Sequence, residues 1–148
     1  MEWFERLANN SHIQLIVVAN NRGQLLRASS SLNSSNERLA SMFQALFVLA
    51  QNMISDFNHN PAQFILLSTN EHHVLIFAPY YPTYYVAIVV GRTAPLSLLM
   101  TELERVLSVL TLADLEALDT ALKDNDLDAA ELIQAVQEWL WEKPTGNY

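Results

Sequence analysis

The amino-acid sequence predicts an α+β fold: a five-stranded antiparallel sheet flanked by helices on both faces, followed by two extra C-terminal helices. Three features carry that expectation. The segments His12–Ala19 and Tyr84–Gly91 are apolar on both of their alternating faces, so each belongs inside a sheet covered above and below. Turns of two to five residues join neighbouring strands, which is too short for a parallel crossover. Between the second and third strands lies one uninterrupted helical pattern of about 20 residues. Central strands buried on both sides then need a helical layer on each.

The elements follow in order. Glu2–Ala8 reads as a short helix with Trp3, Phe4 and Leu7 on its apolar side, ended by Asn9, Asn10 and Ser11. In His12–Ala19, Ile13, Leu15 and Val17 face one way and Ile16 and Val18 the other. Asn20-Asn21-Arg22-Gly23 is a hairpin turn, because Asn and Gly tolerate positive φ. Gln24–Ser29 returns as a more polar edge strand, and Ser30–Ser35 is a polar loop. Ser34, Ser35 or Asn36 can cap the long helix, and Asn58-His59-Asn60-Pro61 stops it. Gln63–Ser68, His73–Ala78 and Tyr84–Gly91 are the third, fourth and fifth strands. Thr93 can cap a further helix with Pro95 in its first turn and one apolar stripe from Leu96 to Leu110. These elements fill a domain of residues 1–110. Residues 111–148 form an acidic helical extension, read as two short helices, Thr111–Leu122 and Asp128–Trp141. Asp128 and Glu131 have capping-box spacing, and Pro144–Tyr148 is a frayed end.

The long helix is unusual on its back. Leu39–Ser55 contains no charged residue. Leu39, Met42, Phe43, Leu46, Ala50, Met53, Ile54 and Phe57 recur at three- and four-residue steps and predict a core stripe. An exposed back normally carries Lys and Glu. Here it carries Ser41, Ala45, Val48, Asn52 and Ser55, at the spacing of a helix–helix seam. Two coverings fit that face: a second layer of the same domain, or the equivalent helix of a dimer partner.

Charge is divided along the chain. Residues 1–100 hold five acids and five bases, whereas residues 101–148 hold eleven acids and three bases, the whole net charge of −8. No cluster of Lys and Arg exists to bind nucleic acid. The acidic end complements a basic protein surface or simply solvates helix faces. Apolar residues make up 51% of the chain, enough to exclude a disordered polymer. No signal peptide is visible, and Gln44, Gln51 and Asn52 interrupt the best apolar run, so neither membrane insertion nor export is expected and the expected location is cytoplasmic.

Catalytic chemistry is scarce. There is no cysteine, and the three glycines, Gly23, Gly91 and Gly146, cannot assemble a phosphate cradle. Glu71-His72-His73 is the one acid–His cluster, but strand alternation sends the two histidines to opposite faces. Asp124, Asp126 and Asp128 open like a calcium loop, yet Ala129 and Ala135 stand where that loop needs Gly and Glu. No catalytic, metal or cofactor residues are therefore expected. Tyr80, Tyr81, Tyr84 and Tyr85 crowd one hairpin, either as anchors for a partner or as packing beneath the C-terminal helices with Trp139 and Trp141.

The segments IQLIVVANNRGQLLRAS, ERLASMFQALFVLAQNMI, QFILLS, HVLIFAP, YYVAIVVG and LSLLMTELERVL, in that order, resemble the roadblock/LC7 family over residues 2–110. The resemblance implies a profilin-like sheet between helices, and dimers built through the long helix and the third strand, here Phe64, Ile65, Leu66 and Leu67. It also implies a non-enzymatic adaptor that pairs with itself and binds a small Ras-like GTPase or a related motility or polarity complex. The acidic extension departs from the minimal family pattern. A small-molecule sensor of PAS or GAF type is the rival reading. PAS domains usually set several short helices between the second and third strands, where this chain has one long helix.

Overall fold

The computed structural model describes residues 2–30, 35–58, 60 and 62–142, with side chains left out at 125–130, 141 and 142. Nine elements follow one another: α1 (Glu2–Ala8), β1 (Ile13–Asn20), β2 (Leu25–Ala28), α2 (Asn36–Ser55), β3 (Phe64–Ser68), β4 (His72–Tyr80), β5 (Tyr84–Gly91), α3 (Leu96–Val109) and α4 (Leu112–Glu142). The strands form one antiparallel sheet in the order β2-β1-β5-β4-β3. The two doubly apolar strands, β1 and β5, are neighbours inside it, and β2 and β3 are the edges.

Alternation divides the core in two. Ile16, Val18, Leu75, Phe77, Tyr84, Val86, Ile88 and Val90 point to one face, where Trp3, Phe4 and Leu7 of α1 and Leu99, Leu103 and Val106 of α3 cover them. Leu15, Val17, Ala19, Ile76, Tyr85 and Ala87 point to the other, under Ala40 and Phe47 of α2. At the rim, Arg27 lies 3.9 Å over the Phe4 ring and pairs with Glu5 at 2.7 Å, tying β2 to α1.

The first turn is built around Asn20, which is fully buried. Its Oδ1 accepts the backbone N–H groups of Arg22 and Gln24, and its Nδ2 donates to Gln24 Oε1 and to Asp119 Oδ1 of α4. Every bonding position of the amide is filled, which is the condition for burying it. Gly23 supplies the positive φ of 73° at this turn, and a Cβ there would stand 3.1 Å from Ser41 Cα of α2.

Several expectations need correction. Met42 (53% exposed), Met53 (61%) and Phe57 (74%) do not belong to the core stripe of α2. Phe47, outside that stripe, is buried against Tyr85 and Tyr81, and the helix is rotated to suit it. A helix apolar on two faces has no periodicity to choose its inner line, so the shape of the sheet chooses. Pro95, expected inside the first turn of α3, takes its N-cap position instead of Thr93. Ser35, one of the three candidate caps, does take the N-cap position of α2. The candidate cap Ser34, the helix-stopping His59 and Pro61, and the frayed end Pro144–Tyr148 lie outside the described residues.

The C-terminal segment holds a larger difference: its two expected short helices are one helix, α4. Residues 123–128, KDNDLD, contain neither Gly nor Pro. Asp and Asn each cost only about 0.7 kcal/mol in a helix interior, too little to end one without a breaker. The first turns of α4 are part of the core: Leu115 is fully buried, and Leu118 packs beside it. Leu115→Ala should therefore cost about 2–5 kcal/mol in chemical denaturation, whereas Leu132→Ala, on the exposed half, should change stability by less than about 0.5 kcal/mol.

Candidate functional site

The surface that stands out is made by α2 and β3. With Ala40 and Phe47 turned inward, the outer face of α2 carries Met42, Ala45, Leu49, Asn52 and Met53, all exposed and none charged. Leu49 is 67% exposed. Of the five seam residues read from the sequence, Ala45 and Asn52 lie on this face. Ser41 sits at its margin, where its Oγ donates to the Gly23 carbonyl at 2.8 Å. Ser55 is exposed with its Oγ donating to Asn52 O. Val48 is half-buried against the sheet core, which corrects its place in an outward seam. Met42, Leu49 and Met53 are the outward residues the sequence reading missed. Their signal was the absence of charge over the whole of Leu39–Ser55, which made both faces eligible.

β3 continues the same character to the sheet edge. Among the described residues it pairs with β4 alone, leaving its outer row of backbone groups without a strand partner. Its side chains are uncharged and open: Phe64 38%, Leu66 44% and Leu67 40% exposed, with Ile65 packed toward α2. The backbone N–H of Ala62 donates to Gln51 Oε1 of α2 at 2.7 Å, which holds the start of β3 against the helix. Natural edge strands usually carry Lys, Pro or a bulge against edge-to-edge pairing. FILLS carries none, and its register with β4 runs unbroken from Phe64↔Phe77 to Ser68↔His73. Covering one Leu or Met side chain stabilises an assembly by roughly 1.5–3 kcal/mol, so the two elements together offer a strong drive to be covered.

The tyrosine hairpin is different. Tyr84 and Tyr85 are buried, at 3% and 1%, which corrects their assignment to a partner surface. The Tyr84 hydroxyl faces Asp119 Oδ2 at 3.4 Å, and the Tyr80 hydroxyl donates to the Leu110 carbonyl at 2.8 Å. Tyr80 and Tyr84 thus pack beneath the α3–α4 junction; of the two tryptophans expected to cover them, Trp139 is 54% exposed and the Trp141 side chain lies outside the described ones. Tyr85 turns to the α2 side, meeting the Phe47 ring edge-to-face and donating to Pro82 O at 2.9 Å. Tyr81 is 42% exposed, its ring against Phe47 and Tyr85. Burial pushes the Tyr84 hydroxyl above its ordinary pKa, and the carboxylates of Asp119 and Glu116 add to the rise. Burial also raises Tyr85, against a lowering hydrogen bond from Gln44.

No group of three or more His, Asp or Glu side chains poised for a metal occurs among the described residues. His72 shares a hydrogen bond with Gln14 Oε1 at 3.0 Å, and His73 bridges Ser68 Oγ at 2.6 Å and the Arg92 carbonyl at 3.2 Å. The two rings serve different neighbours, as strand alternation requires. Residues 124–128 continue a helix, which is the wrong backbone for a calcium loop. Among the described residues no helix is long and apolar enough to cross a membrane.

A five-stranded antiparallel sheet in the order 2-1-5-4-3, with α2 on one face and α1, α3 and the root of α4 on the other, defines the fold class. The sequence profile of the Roadblock/LC7 domain matches residues 2–89, and the chain belongs to that family. Solved structures agree on the fold. A Roadblock/LC7 domain from Streptomyces avermitilis is 15% identical, covering 73% of this chain and 92% of that one, with a TM-score of 0.64. MglB of Myxococcus xanthus is 12% identical over 70% of this chain and 81% of its own, with a TM-score of 0.61. The gliding protein MglB of Thermus thermophilus is 14% identical over 72% and 81%, with a TM-score of 0.62. A comparison with curated protein sequences finds no match.

The raised hydroxyls have a testable consequence. Tyrosines of the unfolded chain ionise near pH 10, while Tyr84 and Tyr85 hold their protons longer in the fold. Their contribution is fully present below the unfolded pKa and is lost as pH rises beyond it. The melting temperature should fall as pH passes about 10, less steeply for Tyr84→Phe, and an ultraviolet titration should show these two tyrosines ionising last.

Proposed function

We propose that the protein is a homodimeric, non-catalytic adaptor of the cytoplasm that regulates a small Ras-like GTPase or a related motility or polarity complex. The observation that carries the dimer is the uncharged apolar outer face of α2 beside the unguarded edge of β3. A two-fold axis beside β3 would pair that edge with its own copy and set Met42, Ala45, Leu49, Asn52 and Met53 of one α2 against those of the other. Phe64, Ile65, Leu66 and Leu67 would then extend the sheet across the axis, the mode that Roadblock/LC7 kinship suggests. The same kinship supports the GTPase partner, and the folds of the MglB proteins, one of them described as a gliding protein and one in a tetrameric arrangement, support the motility setting. The adaptor contributes surface, and its partner contributes the nucleotide chemistry.

Ala45→Glu and Leu49→Glu should each dissociate the dimer or drive it to aggregate, because a charge there loses its water and meets its own copy across the axis. The cost is several kcal/mol, on the order of a buried unpaired ion. Thr101→Glu, exposed on α3, should leave assembly unchanged. Light scattering at micromolar concentration distinguishes the outcomes, and a wild-type protein that is monomeric there would refute the dimer. The partner is tested by titrating Ras-like GTPases of the same genome, loaded with GTP analogue or GDP. Binding that ignores the nucleotide state, or no binding by any of them, would refute GTPase regulation.

A further inference from the structure

The β1–β2 turn, the first turns of α2 and the root of α4 do not close on one another. A half-open cavity of about 340 Å³ remains between them, bordered by Arg22, Gln24 and Leu25, by Glu37 and Ser41, and by Leu122. Its walls are pinned. Ser41 Oγ donates to the Gly23 carbonyl at 2.8 Å, and a Cβ on Gly23 would stand 3.1 Å from Ser41 Cα, so α2 is held hard against the turn. Asn20 Nδ2 donates to Asp119 Oδ1 at 3.1 Å, and Leu122 follows Asp119 by one helical turn, so α4 is held as well. A cavity with pinned walls is preformed, and this one lies at the small end of ligand pockets, which run from roughly 300 to 1,000 Å³.

The lining carries one charge of each sign, and the two do not meet. Among the described residues Glu37 has neither a hydrogen bond nor an ion pair. Arg22 has one acidic neighbour, Asp119 at 3.8 Å, a separation beyond hydrogen-bond reach that leaves the guanidinium donors open. Gln24 accepts from Asn20 through Oε1, and its Nε2 remains a donor. Leu25 and Leu122, both half-buried, supply the apolar part of the wall. We propose that this cavity binds a small dipolar ion, with its carboxylate at Arg22, its ammonium at Glu37 and a short aliphatic body against Leu25 and Leu122. The proposal depends neither on dimerisation through α2 nor on a GTPase partner.

The balance of charge selects this class of ligand. A simple anion drawn to Arg22 meets the Glu37 carboxylate, and a simple cation drawn to Glu37 meets the guanidinium. Attraction and repulsion then oppose each other for either ion. A molecule with opposite ends satisfies both groups and is neutral as a whole. A nucleotide needs convergent donors for its phosphates, and one arginine across from a glutamate does not provide them. A metal ion needs several oxygen ligands and would find one carboxylate in this lining. A wholly apolar ligand would bury the Gln24 and Ser41 side chains without new hydrogen bonds. A dipolar ligand instead bridges the turn, α2 and α4, so its binding stabilises the fold by mass action.

The test is a calorimetric titration of the full-length protein with dipolar probes of different span: glycine, γ-aminobutyrate, ε-aminohexanoate and glycyl-leucine. Hexanoate and hexylammonium, at equal ionic strength, are the controls with a single charge. The expected result is saturable binding of at least one probe, with one site per chain and a Kd on the order of 1 mM. The controls should not compete with it, and the melting temperature should rise with occupancy. Arg22→Gln and Glu37→Gln should each weaken binding at least about five-fold. Glu37→Arg should abolish it and let hexanoate bind instead, a change of selectivity that mere loss of structure would not produce. Both side chains are exposed, so the fold should persist, which circular dichroism checks. Saturable binding by none of the probes, equal binding of hexanoate or hexylammonium by the unaltered protein, or an affinity unchanged by any of the three substitutions would overturn the proposal.

Discussion

The pairing of β1 with β5 is the constraint from which the architecture follows. The ladder runs from Ile13↔Val90 to Asn20↔Tyr84, and nearly every side chain along it is buried. Strands apolar on both faces must be covered twice, which demands α2 on one side and α1, α3 and the root of α4 on the other. The same property removes the usual safeguard of register. A one-residue slip normally turns polar residues inward, but here it would exchange one apolar face for the other. A safeguard sits at the end of the ladder. The bonds of buried Asn20 to its own turn would move with β1, but a slip against β5 would break its bond to Asp119, at a cost of about 1–3 kcal/mol for a polar group left unsatisfied.

Asp119 extends that lock to the C-terminal helix. It accepts from Asn20, faces the Tyr84 hydroxyl and stands 3.8 Å from Arg22. The Arg22 pair is half in solvent and contributes little by itself. The carboxylate's value lies in joining three groups from the β1–β2 turn and β5 to α4. Below this lock Leu115 belongs to the core; beyond it the helix carries its own amphipathic pattern into solvent. One uninterrupted backbone therefore serves two ends, a root that completes the domain and a tip that the domain does not cover.

The two exposed apolar faces differ in the charge around them. The outer residues of α2 and β3 are uncharged, which is what a two-fold contact between identical copies would require, since a charge near the axis would repel itself. The exposed stripe on α4, Leu132, Ile133, Val136 and Leu140, is backed across the helix by Glu131 and Glu138. Residues 1–100 are balanced and residues 101–148 carry the whole net charge, so the division visible in the fold is already present in composition.

Much of this was legible in the amino-acid order. The five strands, their antiparallel hairpins, the long helix and the membership of β1 and β5 in the sheet centre follow from period-two alternation and turn chemistry, which are local. The absence of charge along Leu39–Ser55 was readable as well, because missing charge needs no knowledge of orientation. Orientation itself was not. Whether Met42 or Phe47 faces the sheet depends on Tyr85, some forty residues away in sequence, and two apolar faces leave periodicity silent. The burial of Tyr84 likewise depends on Leu110, Leu115 and Asp119 arriving from α3 and α4. The continuity of α4 through its aspartates was a balance of weak propensities that no single residue decides. Sequence determined which segments are strand or helix and how many surfaces are apolar. Tertiary contact decided which of those surfaces are spent inside, because only the packed sheet has a shape for Phe47, Tyr84 and Leu115 to fill.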